Sequence, residues 1–175
     1  MNRIGVIGGT GLVSMDIEAK HRDYLDQHEI TISRTDSINA ETEFGNVPLK
    51  CITLNCNDRS KELIFLQRHH NSGEANKPPH MINHRANIKA LEQSGCEVIV
   101  SVCSTGTMMA DFPPGKVALA DQYIDFTGIS TSFNDTFAVF TSVTEPFSSE
   151  LNTMLEKELR RSQNFSDSEK MYYTY

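Results

Sequence analysis

The sequence predicts an α/β fold built on a mixed, largely parallel sheet flanked by helices, and three observations carry that reading. Near the N-terminus, the apolar run Ile4-Gly5-Val6-Ile7 is broken at once by Gly8-Gly9-Thr10-Gly11, the pattern of a buried strand ending in a tight turn. Residues 98–102 form a second, nearly continuous apolar run, which reads as a central strand, and it ends in the small-residue loop Cys103-Ser104-Thr105-Gly106-Thr107. Between them lies a helical pattern that starts near His80 and stops at Ser94-Gly95, so strand, helix and strand alternate.

Taken in order, the glycine turn comes first. Gly8, Gly9 and Gly11 leave no side chains in the way, so backbone N–H groups can converge on an anion, and Thr10 adds a hydroxyl donor. The dinucleotide fingerprint is not completed, because Ser14 stands at the third glycine position, and Gly-Lys-Ser/Thr occurs nowhere. A polar stretch, 14–40, follows, with one short edge-strand candidate at Glu29-Ile30-Thr31-Ile32. Phe44-Gly45-Asn46 signals a turn. Residues 48–55 and 62–67 form a hairpin around Asn57-Asp58-Arg59-Ser60, and the second strand delivers Arg68, His69 and His70 at its end.

The helix from His80 has an inward stripe of Ile82, Ala86, Ile88, Ala90 and Leu91. Pro113-Pro114-Gly115 is a turn, residues 116–120 read as a further strand continuing to Tyr123-Ile124-Asp125, and Ser148 caps a helix running to about Ser162. Leu151, Met154, Leu155 and Leu159 make its apolar face, and Glu156 and Arg160 form an i,i+4 pair. Residues 171–175 read as the start of a strand carrying Tyr172, Tyr173 and Tyr175.

Whole-chain properties exclude several functions. A chain of 175 residues is expected to form one domain with a real core. A formal net charge of −7 argues against a general nucleic-acid binder, so attraction for an anionic substrate must be local. No stretch approaches membrane-spanning length, and the N-terminus lacks a basic-plus-apolar signal. Cys51, Cys56, Cys96 and Cys103 have no Cys-x-x-Cys spacing and read as reduced thiols, which points to the cytoplasm.

Three loops therefore follow strand ends: the glycine turn, Arg68-His69-His70, and residues 103–107. Ligands of such sheets bind at the carboxyl ends of strands. Arg68 can hold two oxygens of a phosphate through its planar fork, His69 can donate one more hydrogen bond, and Thr10 and Ser104 supply neutral donors.

The residues now become specific. Ile-Gly-Gly-Thr-Gly at 7–11, Thr42-Glu43-Phe44-Gly45, Arg68-His69, Asn83-His84-Arg85-Ala86-Asn87, Gly106, Pro114-Gly115, Asp121-Gln122-Tyr123-Ile124-Asp125-Phe126-Thr127 and Glu145-Pro146-Phe147 stand in that order. With them the chain resembles the trimeric purine nucleoside phosphorylases, most closely the methylthioadenosine/methylthioinosine phosphorylase branch. The resemblance implies a phosphorylase/hydrolase-like fold, incomplete at the C-terminus, with residues 1–175 as a single domain forming about the N-terminal two-thirds of the family domain. It implies a pentosyltransferase: phosphate-dependent cleavage of the N-glycosidic bond of a purine nucleoside such as methylthioadenosine or methylthioinosine. No metal or organic cofactor is implied, with inorganic phosphate as co-substrate and a homo-oligomer (trimer or hexamer) as the working form.

The implied phosphate-binding residues are Thr10, Arg68, His69, Cys103 and Ser104, with Gly8, Gly9, Gly11 and Gly106 supporting the loops. The chain departs from the family pattern at His70, where glycine is usual, at Cys103, where threonine is usual, and at Phe140, where a histidine that reaches a neighbouring subunit is usual. The loop 70–79 is lengthened, and the family continues beyond Tyr175 into a part that carries further ribose, phosphate and purine contacts. The alternative is a truncated non-catalytic paralogue that binds phosphate or other subunits. Phe133, Phe137 and Phe140 are expected at or near a subunit interface.

Other groupings are weighed against plainer roles. His80 and His84 are four apart on the expected helix, but no third metal ligand accompanies them and Met81 stands where a zincin glutamate would. Cys103 with His69 as base would make a thiol nucleophile, against a simple small residue in a tight loop. Asp121 and Asp125 could pair for acid–base work but read more simply as turn residues.

Overall fold

A computed structural model of the chain describes residues 2–12, 16–71, 76–129 and 132–161. The chain divides into two compact units, Met1–Ser104 and Thr105–Tyr175. The first holds β1 (Arg3–Gly8), α1 (Ile17–Gln27), β2 (Thr31–Thr42), β3 (Gly45–Cys56), β4 (Arg59–Gln67), a 3-10 turn (Pro79–Met81), α2 (His84–Gln93) and β5 (Val98–Ser101).

These strands form one five-stranded mixed sheet in the order β2-β3-β4-β1-β5. β1 runs parallel to both its neighbours, with Val6 opposite Phe65 of β4 and opposite Val100 of β5. β2, β3 and β4 are an antiparallel meander. The turn between β3 and β4 needs only Asn57 and Asp58, both at positive φ (47° and 61°), the geometry of the hairpin turn whose twist matches its strands.

The core joins Ile7, Val47, Leu49, Ile64 and Leu66 of the sheet to Ala86, Ala90 and Leu91 of α2. Three consecutive residues of β4, Ile64, Phe65 and Leu66, are buried, so both faces of that strand are covered. Gly5 permits the helix to come close: a Cβ there would stand 3.3 Å from Leu91 and from the Cys96 sulfur.

Several elements differ from the sequence reading, each for a physical reason. The polar stretch 14–40 contains a helix, α1, and a twelve-residue strand, β2, rather than one short edge strand. Only Leu25 of α1 is buried, so the helix carries almost no apolar period, and its start is marked instead by the Asp16 carboxylate accepting from the Ala19 N–H at 3.3 Å. The second helix starts at His84 and not near His80. Ile82 is extended (ψ 129°), and the Asn83 side chain caps α2 by accepting from the Ala86 N–H at 3.1 Å. Its buried face is Ala86, Asn87, Ala90 and Leu91, while Ile88 is 38% exposed. Gly95 at φ 72° ends the helix as expected. β5 is an edge strand of the described sheet, not a central one, and Ile99 is 37% exposed.

In the second unit the regular element among the described residues is α3 (Ser149–Arg161). The Ser148 hydroxyl accepts from the Leu151 N–H at 3.2 Å, and Arg160 pairs with Glu156 at 2.9 Å, as the spacing predicts. The strand expected at 116–120 does not form, nor does its continuation at 123–125. The Ala120 carbonyl, which a ladder would have used, accepts instead from the Asn152 side-chain amide at 2.9 Å. No apolar side chain described in this unit is fully buried, and Phe126, Phe137 and Phe140 are 91%, 68% and 96% exposed. The expected strand at 171–175, with its tyrosines, lies outside the described residues. No described helix is long and apolar enough to cross a membrane.

Candidate functional site

The site lies where β1, β4 and β5 end side by side. The ladder runs past the strands: the Arg68 N–H donates to the Gly8 carbonyl, and the Val102 N–H donates to the Ile7 carbonyl, both at 2.9 Å. The three segments that follow are therefore held together by the parallel pairing of β1 with both neighbours.

Contact accounts for each glycine of the first turn. A Cβ on Gly8 would collide with the Leu12 carbonyl and come within 2.8 Å of the Phe65 ring. On Gly9 it would lie 2.7 Å from Nη2 and 2.9 Å from Cζ of Arg68, and on Gly11 it would collide with the Ser104 hydroxyl. The Leu12 N–H donates to the Gly9 carbonyl at 3.1 Å, closing the turn and leaving Thr10 exposed at its tip.

Arg68 is the centre of this arrangement. Its guanidinium lies over Gly9, Nη2 donates to the Cys103 sulfur at 3.3 Å, and Nε donates to His69 Nε2 at 3.3 Å. Among the described residues it makes no ion pair with a carboxylate. A guanidinium held by a thiol, an imidazole and a glycine keeps its charge uncompensated and its remaining N–H groups available.

The backbone under Arg68 is tied down by a buried amide. Asn87 of α2, 3% exposed, donates from Nδ2 to the Arg68 carbonyl at 3.4 Å, and its Oδ1 lies 2.8 Å from His70 Nε2. With Nδ2 used as donor, Oδ1 is the acceptor and His70 Nε2 carries the proton. His69 is 6% exposed: its Nδ1 lies 2.8 Å from the Lys77 carbonyl, and its own carbonyl accepts from the Lys77 N–H at 2.8 Å. Lys77 is thus tied to His69 through both its backbone N–H and its carbonyl.

A second set of motif residues meets at the opposite turn. The Asn83 amide donates to the Phe44 carbonyl at 2.7 Å while its oxygen caps α2. Thr42 Oγ1 accepts from the Phe44 N–H at 3.1 Å, Gly45 takes φ 127°, and Arg85 stacks 5.8 Å from the Phe44 ring centroid. Thr42-Glu43-Phe44-Gly45 and Asn83-His84-Arg85-Ala86-Asn87 therefore act as one joint between the β2–β3 turn and α2.

Of the residues singled out in the sequence, the Gly8-to-Gly11 turn, Arg68, His69, Cys103 and Ser104 come together at these strand ends, with Thr10 exposed at the tip of the turn. Gly106 belongs to the second unit, and a Cβ there would meet nothing within 4 Å. His80 lies in the 3-10 turn and His84 opens α2, so they do not share one helix face. No group of three or more metal-ligating side chains comes together among the described residues. His69 Nε2 faces Arg68 rather than the Cys103 thiol, which leaves that thiol without a base. Asp125 closes a local turn, accepting from the Thr127 N–H and hydroxyl at 2.7 Å, and these bonds hold its carboxyl below the usual range. Burial pushes the Cys51 and Cys96 thiols up, whereas Cys103 is exposed. The sequence reading named Asn87 within a motif and His70 at the strand end but did not foresee that the two pair beneath Arg68. The signal was present: a polar residue one position from Ala86 on the inward face of a helix needs a partner.

A parallel β4-β1-β5 core with a glycine turn and Arg68 at its strand ends defines an α/β protein whose candidate site lies at those strand ends. Comparisons with known proteins show the family. Residues 3–172 match the model of the phosphorylase superfamily, and the chain belongs to that family. Over 165 residues it is 33% identical to the protein named "Probable 6-oxopurine nucleoside phosphorylase" of Thermococcus kodakarensis, covering 89% of this chain and 54% of that protein. Over 161 residues it is 30% identical to S-methyl-5'-thioadenosine phosphorylase of Thermofilum pendens, covering 91% and 55%. The fold is similar to that of a methylthioadenosine phosphorylase from an antarctic soil metagenomic library, with TM-score 0.70 and 26% identity over 91% of this chain and 50% of that one. The chain thus spans about half the length of the relatives it matches.

Proposed function

We propose that the protein acts in phosphorolysis of purine nucleosides, with the strand-end site as its phosphate site. One observation carries this reading: the Arg68 guanidinium lies over Gly9 with no carboxylate to neutralise it among the described residues. In a chain of net charge −7, an uncompensated cation at a glycine turn supplies the local attraction that a phosphate needs. The Ser104 hydroxyl beside Gly11 and the Thr10 hydroxyl on the same turn serve as neutral donors in this reading. An oxygen of the bound phosphate forms a bond to C1′ as the C1′–N bond to the purine breaks. The bond's electron pair leaves with the base, which takes up a proton, and ribose 1-phosphate is the second product. Sugar cleavage passes through an oxocarbenium-like transition state. An anion held beside C1′ is both nucleophile and counter-charge, so positioning and electrostatics do most of the catalysis.

The names of the matched relatives support 6-oxopurine nucleosides and methylthio-nucleosides as the substrate class. Inorganic phosphate is the co-substrate, with no metal or organic cofactor, and the working form is a cytoplasmic homo-oligomer. Incubating the purified protein with phosphate and methylthioadenosine, methylthioinosine, inosine or adenosine tests the reading. Free base and the matching sugar 1-phosphate are expected, 5-methylthioribose 1-phosphate from the methylthio-nucleosides and ribose 1-phosphate from inosine or adenosine, formed only when phosphate is present. Base release that does not depend on phosphate would overturn it.

A further inference from the structure

We draw no further inference here: the strongest candidate, the exposed apolar surface of the second unit around Met108, Phe126, Phe137 and Phe140, carries nothing because nothing in the structure shows what covers it.

Discussion

Gly9 and Arg68 are matched in shape: a Cβ on Gly9 would lie 2.7 Å from the Nη2 atom of Arg68. The atom in the way is the far end of a flexible side chain, so Gly9→Ala should leave the fold nearly intact and displace the guanidinium. The expected result is a melting temperature close to that of the parent and a loss of phosphate affinity of about tenfold or more, of the order of one lost charged hydrogen bond. Unchanged affinity in a calorimetric titration would mean that the seat of Arg68 on Gly9 is irrelevant to binding.

Gly8→Ala should behave in the opposite way. The obstacle there is the Leu12 carbonyl and the buried Phe65 ring, neither of which can step aside. Destabilisation of roughly 1–3 kcal/mol is expected, the range for overpacking a core. Chemical denaturation of the two alanine variants side by side would show the contrast, and equal stability would refute it.

Asn87→Ala should cost stability as well as function. The substitution strips a partner from the Arg68 carbonyl and from His70 Nε2 in a buried setting. About 1–3 kcal/mol is expected for leaving buried polar groups unpaired. Urea denaturation checks this, and a change below a few tenths of a kcal/mol would show that water replaces the amide without cost.

Asn83→Ala tests the joint between the β2–β3 turn and α2. It removes both the helix cap and the bond to the Phe44 carbonyl. A loss of roughly 1–2 kcal/mol is expected. Hydrogen exchange should show it first in the N-terminal turn of α2, and uniform weakening of the whole chain would argue against a local joint.

The four thiols should not react alike. Burial pushes Cys51 and Cys96 up, which disfavours their reactive thiolates at neutral pH, whereas Cys103 is exposed beside Arg68. Limited alkylation followed by peptide mass mapping should label Cys103 before Cys51 and Cys96, and added phosphate should slow that labelling. Labelling of Cys96 ahead of Cys103 would contradict the burial found here.

Much of this was legible in the sequence because the relevant signals are local. Ile4 to Gly11 shows a buried strand and its turn in eight residues, and Ser94-Gly95 ends α2 where the structure does. The site residues Thr10, Arg68, His69, Cys103 and Ser104 could be gathered because each follows an apolar run. What escaped was set by partners distant in the chain. α1 buries only Leu25 and so shows no apolar period. Residues 116–120 have the composition of a strand, but hydrogen bonding with a neighbour, not composition, makes one. The contacts of the two His69 ring nitrogens with the Lys77 carbonyl and the Arg68 Nε were not legible either, because folding brings them together. No sequence spacing reveals which nitrogen of a ring bears its proton.

The placement of β1 between β4 and β5 has a consequence for the order of events during synthesis. The meander β2-β3-β4 closes through short turns, whereas Arg3 must wait for Glu62 and Ile4 for Val98 before they can pair. β1 thus emerges well before its second neighbour, and the glycine turn that follows it can be assembled only after nearly a hundred further residues have emerged. Pulse-labelled hydrogen exchange during refolding should therefore protect the amides of β3 and β4 before those of β1. The candidate site is a late product of contacts between segments distant in the chain, not a preformed loop.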